Sequence, residues 1–369
     1  MLTGVATILA AVVLAQPPGP PADARQLTLA REQAFVSVWL NGVGPYPFLI
    51  DTAAPYVALD TPIASSLGLP DAGEAGQLGE FTVHPVRVQA LAVADWPAVS
   101  CDAYAADLSP MEQTFCMRVA GILGLPGLPR RFRLDFEKQQ IGRFPSEMGP
   151  DWLEIPLETD ADGLLRVLLT VDKEHTVDAV LDTAFAGTLG LPADLLERWG
   201  LLSEDTPRLR PADPGAVRDA LQIRLTECAA GAVEVNKPLC SVLEDAGPRI
   251  GVRFLSRFEI AIDREGGKLF LRPRVALPWT DPPLRGAGLA PAERVNGRWS
   301  LFVAEDSPAW IAGIEPGDVL GTVNGVDMAG QSFGFVQRAL SGKPDTFLDV
   351  TILRGNEVLE FRVAIEEML

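Results

Sequence analysis

Phe48-Leu49-Ile50-Asp51-Thr52-Ala53-Ala54 is answered further along the chain by Ala179-Val180-Leu181-Asp182-Thr183-Ala184-Phe185. Each copy reads as an apolar strand closing on an acid, a threonine and a small residue. That order sets a carboxylate at a tight turn where backbone can approach closely and the hydroxyl can bond within the loop. Working outward, each copy follows a strand-like apolar segment (Ala34 to Leu40; Leu164 to Val171). Each is followed by a further apolar strand and a short helix ending in Leu67-Gly68-Leu69 or Trp199-Gly200-Leu201. Downstream, Gly121-Ile122-Leu123-Gly124 and Phe132 to Phe136 correspond to Arg249-Ile250-Gly251-Val252 and Phe258 to Asp263. Landmarks repeated in one order at nearly one spacing mark a duplicated domain. The segments between them are short β-branched runs broken by Gly, Pro and Asp, which predicts two mainly β, barrel-like lobes, 27–148 and 149–275. The connector is Phe144-Pro145-Ser146-Glu147-Met148-Gly149-Pro150.

One Asp-Thr at a strand end is usually only a turn. Two copies in duplicated lobes, packed about a pseudo-twofold axis, bring Asp51 and Asp182 face to face. Adjacent carboxylates cannot both ionise cheaply, so they hold one proton between them, one acting as base and the other as acid. Such a pair can activate water against a peptide carbonyl and protonate the leaving nitrogen without a metal, cofactor or covalent nucleophile.

These residues resemble the pepsin and retroviral-protease superfamily of aspartic peptidases over roughly residues 27 to 273. The resemblance implies an aspartic-type endopeptidase with Asp51 and Asp182 as the catalytic pair. It implies that Thr52 and Thr183 hydrogen-bond between the lobes, that Ala53 and Ala184 complete the loops, and that Gly124 and Gly251 sit beneath them. The sequence departs from the family pattern at Ala53 and Ala184, where glycine is commonest. It departs again at Arg249, a charge where an apolar residue is expected. Residues 71–95, where a substrate-covering flap would lie, hold Gly73, Gly76 and Gly79 but no tyrosine of the pepsin type. Ala54 and Phe185 follow the loops without a hydroxyl, and fewer donors to the charged form leave the pair's pKa values higher. Activity at weakly acidic to neutral pH is therefore expected.

Beyond Pro273 the pattern changes to an α+β unit, residues 276–369. Leu301-Phe302-Val303-Ala304 leads to Ser307-Pro308, a helix cap with proline in the first turn, and Gly313 ends that helix. Gly317-Asp318 and the tight turn Asn324-Gly325 follow, then a helical stretch near Phe333 to Leu340 and strands Phe347 to Leu353 and Val358 to Ile365. This order resembles the PDZ domains attached to bacterial proteases, which bind an extended peptide at a sheet edge. The resemblance makes Gly286-Ala287-Gly288-Leu289 the carboxylate-binding loop, although Pro291 removes an amide from that edge.

The remaining features bound the answer. With 31 Lys and Arg against 49 Asp and Glu, the net charge is −18, which disfavours nucleic acid and anionic membrane surfaces. Only His84 and His175 occur, so neither a His-rich metal site nor a Ser-His-Asp triad assembles readily. Residues 1–15 are apolar and too short to span a bilayer; they read as an export signal, with 16–26 a Pro-rich spacer and the mature chain periplasmic or extracellular. Four cysteines at local spacing suggest two disulfides, Cys101–Cys116 and Cys228–Cys240, with buried free thiols as the alternative. Two functions stay open: a peptidase whose PDZ-like domain recruits peptide or protein substrate, and a non-catalytic envelope peptide-binding protein on the same scaffold.

Overall fold

A computed structural model of the chain describes residues 25–30, 32–78, 81–115, 117–209 and 221–369. The proposed signal, nearly all of the spacer, Gly79 and Cys116 lie outside the described residues. In the first lobe, strands Gln33–Leu40, Val43–Ile50, Gly121–Leu123, Val57–Asp60, Val99–Ala106 and Phe81–Val93 bond in that order. Phe81–Val93 pairs back on Gln33–Leu40, with Val38 opposite Val93, and closes a six-stranded barrel. The second lobe repeats these strands in an open sheet curved into half a barrel. Its strand Leu165–Val171 shows why the chain folds this way. Leu165, Val167, Leu169 and Val171 are all fully buried, while Leu168 between them is exposed, the period-two pattern of a strand with one face in a core. Helices Thr61–Ser66 and Ala193–Arg198 follow the equivalent strands of the two lobes.

A separate five-stranded sheet joins the lobes. Arg131–Asp135 of the first lobe runs antiparallel to Phe258–Asp263 of the second, with Leu134 opposite Ile260, flanked by Gln140–Arg143, Lys268–Pro273 and Leu153–Pro156. Charge crosses this seam in both directions. Arg133 bonds Glu259 at 2.8 Å and Arg274 bonds Asp135 at 2.5 Å, while Arg272 also pairs with Glu259. Glu259 and Asp135 are buried, and each has a cation on it, which is how a buried carboxylate is tolerated.

The C-terminal unit has its own core, in which Trp299, Leu301, Leu320, Val336, Ile352 and Ile365 are buried. Its helix Pro308–Ala312 is capped by the Ser307 hydroxyl, which accepts from the Trp310 N–H at 3.3 Å, and it ends at Gly313 with φ +94°. Asn324 and Gly325, at φ +49° and +77°, turn Val319–Val323 into Val326–Asp327. Helix Phe333–Ala339 and the long hairpin Thr346–Arg354/Glu357–Glu367 complete it. Among the described residues, no helix is long and apolar enough to cross a membrane.

The cysteines correct the disulfide expectation. Cys228 lies on Glu227–Ala230, between Leu165–Val171 and Val233–Asn236, whereas Cys240 lies on Leu239–Leu243, between Leu189–Pro192 and Gln222–Arg224. Local spacing suggested a bridge, but the sheet order separates the two strands and both thiols are free. Cys101 is free as well, and its expected partner Cys116 lies outside the described residues. Burial raises the Cys228 thiol strongly, Cys240 to about 12 and Cys101 to about 11. These three thiols are accordingly expected to resist alkylation in the native protein and to react only on unfolding. Reductant should leave the thermal midpoint unchanged. Mass shifts after iodoacetamide, with and without urea, check this, and rapid native labelling would contradict it.

Candidate active site

The two acid loops arise from equivalent positions. Val43–Ile50 and His175–Leu181 each run parallel to a short strand, Gly121–Leu123 and Arg249–Ile250. The Asp51 N–H bonds the Leu123 carbonyl at 3.1 Å, and the Asp182 N–H bonds the Ile250 carbonyl at 2.9 Å. Beyond these strands, the Leu125 N–H bonds the Ala54 carbonyl and the Val252 N–H bonds the Phe185 carbonyl, so the chain threads closely behind each loop. Gly124 and Gly251 make that possible. A Cβ on Gly124 would lie 1.9 Å from the Tyr56 carbonyl oxygen, and one on Gly251 would lie 2.2 Å from that of Gly187. Both glycines have negative φ, so the requirement is steric.

Across the lobe boundary the loops grip one another. The Thr52 hydroxyl donates to the Leu181 carbonyl at 2.5 Å and accepts from the Thr183 N–H at 3.1 Å. Reciprocally, the Thr183 hydroxyl donates to the Ile50 carbonyl at 2.8 Å and accepts from the Thr52 N–H at 3.1 Å. Both threonines are fully buried, so these bonds are shielded from competing water. Ala53 and Ala184 supply backbone: their N–H groups donate to Asp51 Oδ1 at 2.8 Å and Asp182 Oδ1 at 2.9 Å.

Symmetry stops at the second carboxyl oxygen. Asp182 Oδ1 also accepts from the Phe185 N–H, and its Oδ2 accepts from the Arg249 guanidinium at 2.9 Å. The equivalent of Arg249 beside Asp51 is Ile122, which carries no charge. Burial, with the Asp182 charge adding to it, pushes Asp51 from its ordinary 3.8 up to about 7. Burial also raises Asp182, against the opposing pull of Arg249 and two backbone N–H groups. Arg249 and the Ala53 and Ala54 N–H groups pull Asp51 down as well, but the guanidinium bonds only Asp182 directly, and that bond favours the negative charge there.

Three neighbours were not picked out from the sequence as parts of the site. The Tyr56 phenol is raised by burial and by the Asp51 charge, and its ring meets Tyr104 edge-on at 6.1 Å. Gln33, buried, donates its amide to the Ala184 carbonyl, and its own oxygen has no partner among the described residues. Buried Asp281 accepts from the Thr188 hydroxyl at 2.6 Å and the Leu239 N–H at 2.9 Å, and the Thr188 carbonyl accepts from the Gly251 N–H. That last chain links the segment entering the C-terminal unit to the loop around Asp182. Only a glutamine or acid in an apolar run could have signalled Gln33 and Asp281. Tyr56 carries no motif.

In the region expected for a flap, Gly76–Leu78 pairs with Phe81–Val93 as a hairpin. Leu78, Phe81 and Ala184 all pack against one apolar cluster that includes Phe35 and Phe115, so the hairpin and the second acid loop share a packing surface. In the C-terminal unit, Gly286 pairs with Glu366, and the carbonyls of Ala287 and Gly288 accept from the Ala309 and Ala304 N–H groups. Gly288 has φ +79°, and a Cβ there would strike Ser307 at 2.1 Å, so only glycine fits. Leu289 opens strand Leu289–Val295, against which helix Phe333–Ala339 packs. A cavity of about 580 Å³ between Ala292, Arg294, Trp299, Ser332 and Phe333 also takes in Glu112 of the first lobe, but the 286–289 loop does not line it.

Residues 36–126, which include Asp51 and Gly124, match the family model described as aspartyl protease, and residues 303–354 match that of the PDZ domain. Among solved structures, the chain is similar to basic 7S globulin from soybean, at 12% identity and a TM-score of 0.39 over 69% of this chain and 96% of that one. No curated protein sequence matches it. An aspartyl-protease-like domain and a PDZ domain stand in one chain, which makes this a peptidase-like protein carrying a domain of the peptide-binding kind.

Proposed function

We propose that the chain is an aspartic-type endopeptidase that hydrolyses peptide bonds with water activated between Asp51 and Asp182. The reciprocal Thr52–Thr183 bonding carries this reading, because it fixes the two acid loops mouth to mouth in a buried setting. Asp182, ionised, takes a proton from the water as its oxygen attacks the carbonyl carbon. Asp51 delivers its proton to the carbonyl oxygen, giving a neutral tetrahedral diol. Asp182 then passes its proton to the leaving nitrogen, the C–N bond breaks, and a diol hydroxyl returns a proton to Asp51. The hairpin Gly76–Leu78/Phe81–Val93 covers the bound peptide. The PDZ-like domain recruits it, with Gly286, Ala287, Gly288 and Leu289 receiving a C-terminal carboxylate. Export, as the apolar leader suggests, would place substrate and enzyme outside the cytoplasm.

The pH dependence follows from the pair holding one proton. Burial and the Asp182 charge push Asp51 up to about 7, so activity is expected to persist to near neutral pH and to fall as the pH rises through that value. At low pH, protonation of Asp182 removes the base. Incubating the full chain with a mixed peptide library in ¹⁸O-water from pH 4 to 9, with products read by mass spectrometry, tests both points. The expected result is cleavage with one ¹⁸O in each new carboxyl group and an optimum between about pH 5 and 7. No products at any pH, or an optimum below about pH 3, would overturn the reading.

A further inference from the structure

The position before Ile250-Gly251 holds a guanidinium that the duplicated lobe replaces with Ile122. The fold is built to receive it. The stem of Arg249 passes over Gly190, where a Cβ would sit 3.0 Å from Arg249 Cγ. Its guanidinium lies 5.8 Å from the Phe185 ring centroid, its Nε donates to the Gly247 carbonyl at 3.4 Å, and one terminal nitrogen reaches Asp182 Oδ2 at 2.9 Å. Arg249 is one-quarter exposed and Asp182 is buried, so the attraction acts largely outside bulk water. The flanking strands present Val180 and Gly190 in register with it, neither titratable. Among the described residues, the other ionisable groups that bear on the pair are the two acids themselves and the Tyr56 phenol beside Asp51.

From this geometry we infer that Arg249 is a positioning residue that breaks the symmetry of the acid pair, holding Asp182 as the anion and leaving the proton on Asp51. The inference rests on reading Asp51 and Asp182 as the reacting pair. Two otherwise equivalent carboxyl groups could each take either role. A fixed cation on one of them assigns the base before substrate arrives, so no part of the enzyme population waits in the wrong protonation state.

The test compares the full chain with Arg249→Met, Arg249→Gln and Arg249→Lys, by ¹³C NMR of labelled Asp carboxyl groups and by the pH profile of kcat/KM. Removing the cation destabilises every ionised state of the pair, so both limbs of the profile move to higher pH. The acid limb should move more, by about one to three pH units, as befits loss of a directly bonded cation. Arg249→Gln should match Arg249→Met, and Arg249→Lys should recover most of the wild-type profile. If Arg249→Met does not fold, Arg249→Gln carries the comparison. Unshifted carboxyl titrations, or a uniform fall in kcat/KM with unchanged limbs, would reduce Arg249 to packing and overturn the inference. A rise in kcat/KM at every pH would make it a block and also overturn it. Shifted titrations in a chain that cleaves nothing would uphold the charge assignment and sink the peptidase reading alone.

Discussion

Asp51→Asn and Asp182→Asn each lower kcat/KM for peptide hydrolysis by about 10³-fold or more, the scale on which loss of a general acid or base is felt. The two variants part company in stability, because their surroundings differ. Asp182→Asn leaves the Arg249 guanidinium facing a neutral amide, and it destabilises the fold by less than the roughly 3 kcal/mol of a broken buried pair, because the arginine keeps some exposure and burial already disfavours the Asp182 charge. Asp51→Asn removes a carboxyl that has no cation bonded to it. The folded-state pKa of Asp51 is raised, so its contribution to stability is fully present below the ordinary value of 3.8 and is lost as the pH climbs to about 7. Asp51→Asn should therefore gain on the wild type between those values. Urea unfolding at pH 5 and pH 7.5 checks both signs. Equal losses in the two variants would show that the asymmetry around the pair has no energetic meaning.

Thr183→Ala strips two bonds from the grip between the lobes. It orphans the Thr52 N–H and leaves the Ile50 carbonyl without its Thr183 donor, at about 1–3 kcal/mol for each buried group. The larger consequence is geometric. The Thr183 hydroxyl bonds backbone and not a carboxyl group, yet a shift of the loops by about 1 Å costs roughly 10²-fold in rate. Thr183→Ser keeps the hydroxyl and should recover most of the activity. Kinetics of the two variants at pH 6 test this, and equal activity of Thr183→Ala and wild type would detach the grip from function.

Much of this arrangement could be read from the chain before its folding was considered. The two Asp-Thr-Ala stretches and the later glycines are local signals tied to steric facts: a Cβ at Gly124 or Gly251 would enter the backbone oxygen of the neighbouring loop. The PDZ unit was legible for a similar reason, since Ser307, Gly313 and Asn324-Gly325 each serve a cap or turn that few residues can serve. What escaped depends on pairings between distant segments. Arg249 was visible as a departure from pattern, but its partner was not, because only the parallel pairing of Val180 with Arg249 puts it beside Asp182. The cysteines misled because spacing along a chain says nothing of sheet order, and four strands come between Glu227–Ala230 and Leu239–Leu243. Gln33, Tyr56 and Asp281 sit in stretches without a motif, and only folding brings them to their partners, Gln33 across the lobe boundary and the other two from distant segments.

Neutron diffraction from deuterated crystals at about pH 6, between the ordinary carboxylate range and neutrality, would look directly at the hydrogen on which the chemistry depends. The account predicts one deuteron on the pair, bonded to Asp51, with Asp182 bare and facing Arg249. Two bare carboxylates at that pH, or a deuteron on each, would contradict it.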